Sequence, residues 1–236
     1  MAPIEPLLCE IPVGTFTMGC EQGEFDERPA HLAHVDGFML ARFPVTNLEY
    51  AVFLEMTAVS PPRFWNDEHF NRPMQPVVGI SWFEAVAYCD WLTGTFGRRF
   101  RLPTEPEREW AALGGLPFAR YPWGDDEPTL TGPWAPGSSG QDRPVFVSDA
   151  APNGYGLCHM CDNVHEWCGD WWDPGYYAVS PRDNPQGPPT GERRASRGGA
   201  WRHYLKFSRC SARSSLPPSF QYNDYGFRVA AASLMG

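Results

Sequence analysis

Three cysteines and two histidines occur in the stretch GLCHMCDNVHEWC, residues 156–168. Cys158, Cys161, His165 and Cys168 have the spacing C-x2-C-x3-H-x2-C, and thiolates and imidazoles are the ligands that structural zinc prefers. If the stretch is an extended strand, its side chains alternate between two faces, so His165 and Cys168 point in opposite directions. Zinc ligation and a core strand rich in soft side chains are therefore alternative predictions, and we favour the core strand.

The elements that must position these residues are short. Capping boxes, in which a Ser or Thr and a Glu three residues later satisfy each other's free backbone amides, predict three helix starts. The pairs are Thr46/Glu49, Ser81/Glu84 and Thr104/Glu107. Glycine-bounded β segments are predicted in GTFTMG, HVDGFMLARFPV and GFRVAAAS, and residues 114–199 are predicted to be nearly all turns. The pattern indicates an α+β fold that is rich in loops.

The overall charge restricts the partners of this chain. Its 236 residues carry a formal net charge of -9, whereas proteins that bind nucleic acid usually have a basic excess. No signal-peptide pattern opens the chain, and no segment has the roughly 20 apolar residues that span a bilayer. We predict a cytoplasmic protein with reduced thiols that binds neither nucleic acid nor membrane. Arg193 and Arg194 are predicted to lie on a solvated face.

An ordered series of motifs resembles the formylglycine-generating enzyme and sulfatase-modifying factor family. The motifs are IPVGTFTMG, FPVTNLEYAVFL, PVVGISWFEAVAYCDWL, RLPTEPEREWAA, YPWGDD, NGYGL, NVHEWCGDWW, RGGAW, and RCSAR followed by GFRVA. The resemblance, which covers about Ile11 to Ala232, implies a C-type lectin-like fold with two main helices packed on small twisted antiparallel sheets. No internal repeat or low-complexity run divides the chain, so residues 1–236 are predicted to form one domain. One fold hosts unrelated activities, so the function must be argued from particular residues.

The resemblance also indicates which cysteines of the family, those that bind copper or form disulfides, this chain lacks. Oxidases of the family hold copper with two cysteines between the RGG and RC motifs, and thiolates suit Cu(I). Here the interval RGGAWRHYLKFSRC has no cysteine before Cys210, so we expect neither copper nor formylglycine formation. Secreted members form disulfides at the positions of Cys89 and Cys210, but the partner positions are Val229 and about Ala112. Both thiols are therefore predicted to be small buried side chains.

A calcium site is a further implication of the resemblance. Members that bind calcium take oxygen ligands at positions that match His159, Asp162, Val164 and Glu166. An imidazole in place of an amide oxygen weakens such a site, because calcium prefers hard oxygen ligands, and the Asp162 carboxylate is the group that would compensate. The sequence requires no cofactor, and it leaves calcium and zinc open.

The segment 198–228 differs in chemistry from the rest of the chain. Between Gly198 and Tyr225 it has one acid, Asp224, against four bases, and its aromatic and small polar side chains resemble those of antibody paratopes. Variable proteins of diversity-generating retroelements, which share this fold, place their mutable residues here between frame motifs like RGGAW, RCSAR and GFR.

Mutagenesis in those proteins acts on adenines, typically in Asn codons, and most side chains of this segment are ones that such codons can produce. The candidate ligand-binding residues are Arg202, His203, Tyr204, Phe207, Ser208, Ser214, Ser215, Leu216, Ser219, Phe220, Tyr222, Asn223 and Asp224. Lys206 and Gln221 interrupt these clusters as frame residues would.

Three functional hypotheses follow. The first is a ligand-binding variable protein without turnover, whose partner is an unknown protein or other macromolecule. The second is an oxidoreductase of the same family, with a metal-dependent pocket near Trp201, His203, Tyr204 and Cys210. The third is a catalytically inactive paralogue that modulates an active partner. We favour the first, because the copper cysteine pair is missing and the segment has paratope-like chemistry.

Overall fold

The computed structural model describes residues 1–126 and 143–233. Its strands and helices, in chain order, are β1 (Leu8–Ile11), β2 (Gly14–Met18), β3 (His31–Val35), β4 (Phe38–Ala41), α1 (Asn47–Thr57), α2 (Trp82–Phe96), β5 (Phe100–Arg101), α3 (Glu105–Leu113), β6 (His165–Trp172), β7 (Arg193–Arg197), β8 (Arg213–Leu216), β9 (Tyr225–Gly226) and β10 (Ala230–Ala232). Short 3-10 turns occupy Phe25–Glu27, Tyr176–Ala178 and Leu205–Phe207. The α+β class predicted from the sequence is confirmed.

All three predicted capping boxes begin helices. At α2, the Ser81 hydroxyl accepts a hydrogen bond from the Glu84 backbone amide, and the Glu84 carboxylate accepts one from the Ser81 backbone amide at 2.7 Å. The same reciprocal pair opens α1 and α3. The two longer helices meet through aromatic rings, with Tyr50 of α1 stacked on Tyr88 of α2 at 5.6 Å between centroids. Aromatic packing thus fixes the helix pair that supports the sheets.

The strands form three small sheets. One has the order β1-β4-β10-β5 and is antiparallel throughout, and β2 pairs with β3 as a ribbon. The third has the order β8-β7-β6-β9, in which β6 and β9 run parallel. Because β9 belongs to the third sheet and β10 to the first, the last described residues connect both sheets.

The prediction that residues 114–199 are nearly all turns needs correction. Residues 127–142 lie outside the described part of the chain, but β6 and β7 both fall within this region. The first half of β6 is buried on both faces, so its sequence lacks the apolar and polar alternation that marks a strand with one solvated face. Within the described residues, no helix has the length and apolar character needed to cross a membrane.

Candidate functional site

Two glycines open the segment 198–228, and each is required by the backbone. Gly198 and Gly199 have φ values of 105° and 65°, a region that side chains other than glycine rarely adopt. A Cβ atom at Gly199 would lie 2.5 Å from the Ser208 hydroxyl oxygen. The backbone of the RGGAW motif therefore passes in close contact with Ser208. Trp201, the last residue of the motif, packs beside Phe70, Val78 and Val164.

The predicted ligand-binding residues separate by exposure. Six are exposed to solvent: Arg202, Tyr204, Phe207, Ser219, Phe220 and Tyr222. Four are half-buried: His203, Ser214, Leu216 and Asn223. Ser208, Ser215 and Asp224 are buried, so these three side chains face the interior rather than the surface that a ligand would meet. Ser215, for example, is held inside the sheet, where its hydroxyl accepts a hydrogen bond from Arg193 at 2.9 Å.

The exposed aromatic side chains form the outer surface of the segment. Tyr204 is 80% exposed, the highest value among the large apolar and aromatic side chains described. The rings of Phe220 and Tyr222 lie 5.9 Å apart, and Phe207 contacts His203 at 5.8 Å between ring centroids. Such rings offer large contact areas and lose little side-chain entropy on binding.

The loop that carries Phe220 and Tyr222 is fastened to the start of α2. The backbone amide of Trp82 donates a hydrogen bond to the carbonyl oxygen of Pro218 at 3.0 Å. The Gln221 side chain donates to the Glu84 carboxylate at 2.8 Å. Gln221, which the sequence pattern assigns to the frame, therefore anchors the loop to the capping box of α2 while its neighbours face solvent.

A chain of three side chains lies beneath this surface. Nε2 of His165 and Nδ1 of His203 lie 2.8 Å apart, and Nε2 of His203 lies 3.2 Å from Oδ2 of Asp224. Arg202 donates to the same carboxylate oxygen at 2.9 Å. Burial raises the pKa of Asp224, but its contacts with His203, His165 and Arg202 outweigh that effect and hold the pKa below its usual value. Asp224 is thus an anchor for the segment.

His165 gives the protein an acid-sensitive stability. Burial, reinforced by His203, lowers its pKa to about 3, whereas an unfolded chain binds that proton near pH 6.5. The unfolded state therefore takes up the proton first, and stability is lost as the pH falls below about 6.5. Between pH 7 and pH 5 the loss from His165 should be about 2 kcal/mol. Urea denaturation at pH 7 and pH 5 should show that the free energy of unfolding falls by about 2 kcal/mol less in His165→Phe than in the original protein. An equal fall in the two proteins would contradict this role of His165.

The basic side chains of the segment are neutralised by acids. The pairs are Arg202–Asp224 (2.9 Å), Lys206–Glu24 (3.8 Å), Arg209–Glu27 (2.5 Å) and Arg213–Glu105 (2.7 Å). Three of these acids come from elements far away in the sequence, so the local excess of base that the sequence shows does not become a basic surface. The segment is therefore an aromatic surface with paired charges.

The prediction of a solvated face at Arg193 and Arg194 also needs correction. The Arg194 guanidinium lies between two indole rings, 3.7 Å from the Trp82 ring centre and 3.5 Å from that of Trp171. It also donates a hydrogen bond to the Gly169 carbonyl oxygen at 2.7 Å. A guanidinium stacks readily on aromatic faces, and the two indoles are brought together only by the packing of α2 against β6.

The candidate calcium ligands have other partners. Both oxygens of the Glu166 carboxylate accept hydrogen bonds from Arg228, at 2.6 and 2.7 Å, and Arg108 donates to one of them at 2.8 Å. His159 lies 3.1 Å from the Asp162 carboxylate, and Val164 is buried. Two guanidinium groups around Glu166 repel a cation, so these residues do not fit calcium.

The candidate zinc ligands do not converge either. His165 is in contact with His203, and the Cys168 thiol points to the Glu166 carbonyl oxygen at 3.9 Å. Residues 1–126 and 143–233 contain no group of three or more His, Cys, Asp or Glu side chains arranged to hold a metal ion. Cys158 and Cys161 are buried, but they lie in the loop before β6 rather than in the core strand that the sequence predicts.

A cavity of about 920 Å³ lies beside the segment, between the loop after β2 and the end of α3. Cys210 lines it, together with Cys20, Glu109, Lys206 and Arg209. Trp201, His203 and Tyr204 are absent from its described lining. These three residues and Cys210 therefore do not line one pocket, as the enzyme hypothesis requires.

Sequence reasoning missed two features of this region. It treated His165 only as a zinc candidate, although His165 pairs with His203, 38 positions away. It also treated Arg197 only as part of a motif, yet this buried side chain pairs with Glu105 and Glu109 at 3.0 and 2.9 Å. A buried arginine must find acids, but the sequence does not tell which acids lie nearby.

Comparisons with known proteins bear on the family and the fold of this chain. The model of the sulfatase-modifying factor enzyme 1-like domain matches residues 5–233. The formylglycine-generating enzyme of Thermomonospora curvata is 34% identical, over 95% of this chain and 93% of its own length. The serine/threonine-protein kinase pkn1 of Chlamydia pneumoniae is 33% identical over 96% of this chain, which spans only 38% of the kinase. Among solved structures, Treponema denticola variable protein 1 matches with a TM-score of 0.80 and 22% identity, covering 96% of this chain and 95% of that one.

The fold is therefore a C-type lectin-like fold of the formylglycine-generating enzyme type, whose C-terminal segment exposes several aromatic side chains. The chain belongs to the sulfatase-modifying factor enzyme 1-like family. The family resemblance that the motifs indicate is thereby confirmed.

Proposed function

We propose that this chain is a ligand-binding variable protein of a diversity-generating retroelement, which displays a diversified segment, residues 198–228, on a lectin-like frame. The observation that carries this proposal is the outward orientation of Tyr204, Phe207, Phe220 and Tyr222 from one segment. Exposed aromatic side chains supply most of the contact energy in many protein interfaces. The expected partner is a protein or another macromolecule with a complementary apolar surface.

The anchoring of the segment supports this proposal. Buried Asp224 holds Arg202 and His203, and Gln221 holds the second loop to α2. A binding surface that is ordered before it meets its ligand loses less entropy on association. Changes in the exposed residues can therefore alter the choice of partner while the buried contacts preserve the fold.

The alternative is an oxidoreductase like the formylglycine-generating enzymes to which this chain is similar. Its support is the 34% identity with such an enzyme along 93% of that enzyme's length. The residues present do not fit the copper of those enzymes, because no cysteine lies between Gly199 and Arg209. Cys210, the nearest cysteine, is buried in an apolar cluster.

Copper content distinguishes the two proposals. We expect the protein, incubated with Cu(I) and dialysed, to retain well below one equivalent of copper in elemental analysis, because it lacks the thiolate pair that suits this ion. Cys210→Ala should retain the same small amount. One equivalent in the original protein that is lost in Cys210→Ala would favour the enzyme.

The neighbouring DNA tests the retroelement origin. We expect a near-copy of the codons for residues 198–228, beside a reverse transcriptase gene. Asn codons in that copy should fall at the exposed and half-buried positions, such as Tyr204 and Phe220. They should be absent at the buried positions Ser208, Ser215 and Asp224, where a changed side chain would disturb packing. Absence of the copy would contradict the retroelement part of the proposal.

A further inference from the structure

A buried carboxyl group near the start of α3 has one oxygen atom without a partner. Asp170 of β6 is only 3% exposed, and its Oδ2 accepts a hydrogen bond from the Glu105 backbone amide at 2.5 Å. Its Oδ1 has no hydrogen-bond partner among the described residues. The neighbouring acid Glu105 differs, because it is held by Arg197 and Arg213. A buried polar atom without a partner is rare in folded proteins, so Asp170 is a candidate contact for a ligand.

Asp170 lines a cavity of about 910 Å³, which is within the usual size of small-molecule sites. Asn184 and Gln186 form another part of the lining. The Asn184 side chain accepts a hydrogen bond from the Asp36 backbone amide and donates one to the Asp36 carboxylate, both at 2.9 Å. The wall of the cavity is therefore held in place by contacts within the chain. None of residues 198–228 belongs to its described lining, so it is separate from the exposed aromatic surface.

The lining combines apolar and acidic side chains. Val86, Phe100 and Leu102 supply an apolar wall. The charged residues of the lining are the acids Asp36, Asp90, Glu107 and Asp170 and the bases Arg99 and Arg101. Glu107 and Arg101 neutralise each other through two hydrogen bonds of 2.6 Å. Three acids and one base are then left, and a cleft with an excess of one charge attracts ions of the opposite sign.

The remaining acids lie at different depths. Asp36 and Asp90 are exposed and lie toward the mouth of the cavity, whereas Asp170 is buried and lies at its base. Burial raises the pKa of Asp170 to about 8, and the Glu105 carboxylate adds to this effect. A bound cation acts in the opposite direction and favours the ionised carboxylate. The base of the cavity is therefore suited to a positively charged group.

We propose that this cavity binds a primary alkylammonium ion, which donates a hydrogen bond to Oδ1 of Asp170 and lays its alkyl stem along the apolar wall. An ammonium group has three donors and no acceptor, so it matches a carboxylate oxygen that lacks a donor. Hydrogen bonds between charged groups are about twice as strong as those between neutral ones. Free aliphatic amines and lysine side chains of peptides share this chemistry. The inference does not depend on the proposed binding function.

Isothermal titration calorimetry of the whole chain tests the proposal with matched probes. Pentylamine and pentan-1-ol have the same alkyl chain and differ in the charged group. At about pH 8.5 the amine is still protonated, since an alkylammonium group loses its proton at about pH 10.4. We expect pentylamine to bind with a Kd of about 1 mM or lower, and pentan-1-ol to give no measurable binding. Nα-acetyl-lysine methylamide distinguishes the sources: tighter binding than pentylamine indicates a peptide lysine, and weaker binding indicates a free amine.

Variants locate the bound amine. Asp170→Asn should lower the affinity for pentylamine by about tenfold or more, while its amide oxygen can still accept the hydrogen bond from Glu105. Asp90→Lys reverses a charge at the mouth and should lower the affinity by about threefold. Glu192→Lys is the matched control, because Glu192 is exposed and outside the described lining, and its affinity should equal that of the original protein.

Three results would overturn the proposal. One is that pentylamine does not bind, and another is that pentan-1-ol binds equally well. The third is that a folded Asp170→Asn protein binds pentylamine as tightly as the original. If Asp170→Asn does not fold, the comparison of Asp90→Lys with Glu192→Lys decides, since both substitutions lie on the surface, and equal affinities in these two proteins would refute the site.

Discussion

Replacing Tyr204, Phe207, Phe220 and Tyr222 together by Ala should abolish ligand binding while the fold remains intact. All four side chains are exposed, so their removal leaves no cavity in the core. Interface aromatics of this kind each contribute about 2 kcal/mol or more when they are hot spots. Even if only two of them contact the ligand strongly, affinity should fall by at least about a hundredfold.

The measurement has two stages. Immobilised protein first captures a ligand, which is identified and purified, and Kd is then determined by calorimetry for both proteins. A matched control replaces Leu32 and Val179, which are exposed apolar side chains outside the segment, by Ala. This control should bind as the original does. Unchanged affinity in the fourfold variant, or a collapsed melting curve, would refute the display of a binding surface by this segment.

Glu166→Gln should lower the free energy of unfolding by about 3 to 5 kcal/mol. Glu166 is fully buried and bridges Arg108 and Arg228, both equally buried. Burial raises its pKa, but the two guanidinium charges outweigh that effect and keep the pKa below its usual value. A neutral amide would leave two buried positive charges without a compensating anion, which is far more costly than losing a surface ion pair.

Urea denaturation, with and without calcium, measures this effect. Glu192→Gln is the matched control, because Glu192 is exposed and its replacement should change stability by less than about 0.5 kcal/mol. A loss below about 1 kcal/mol in Glu166→Gln would contradict the bridging role. Stabilisation of the original protein by calcium, absent in the variant, would instead support Glu166 as a calcium ligand.

Features that depend on near neighbours were predictable from the sequence. Each helix start was identified from two residues three positions apart, because a capping box satisfies amides within its own turn. The strands β2, β4 and β10 were recognisable from glycine-bounded β segments. The order of motifs along the chain identified the family and hence the lectin-like fold, without any knowledge of which residues meet in space.

Only the tertiary structure decided which side chains of the C-terminal segment face solvent. Ser214 and Ser215 are adjacent and chemically identical, yet Ser215 is buried in the sheet and Ser214 is half-exposed. Likewise, the charge of Arg213 is compensated by Glu105, more than a hundred positions earlier. Burial and ion pairing depend on the arrangement of distant elements, because the free energy of a charge or thiol is set by whatever packs around it. The sequence by itself determined the local elements and the family, whereas the exposed surface and the charge pairs required the folded chain.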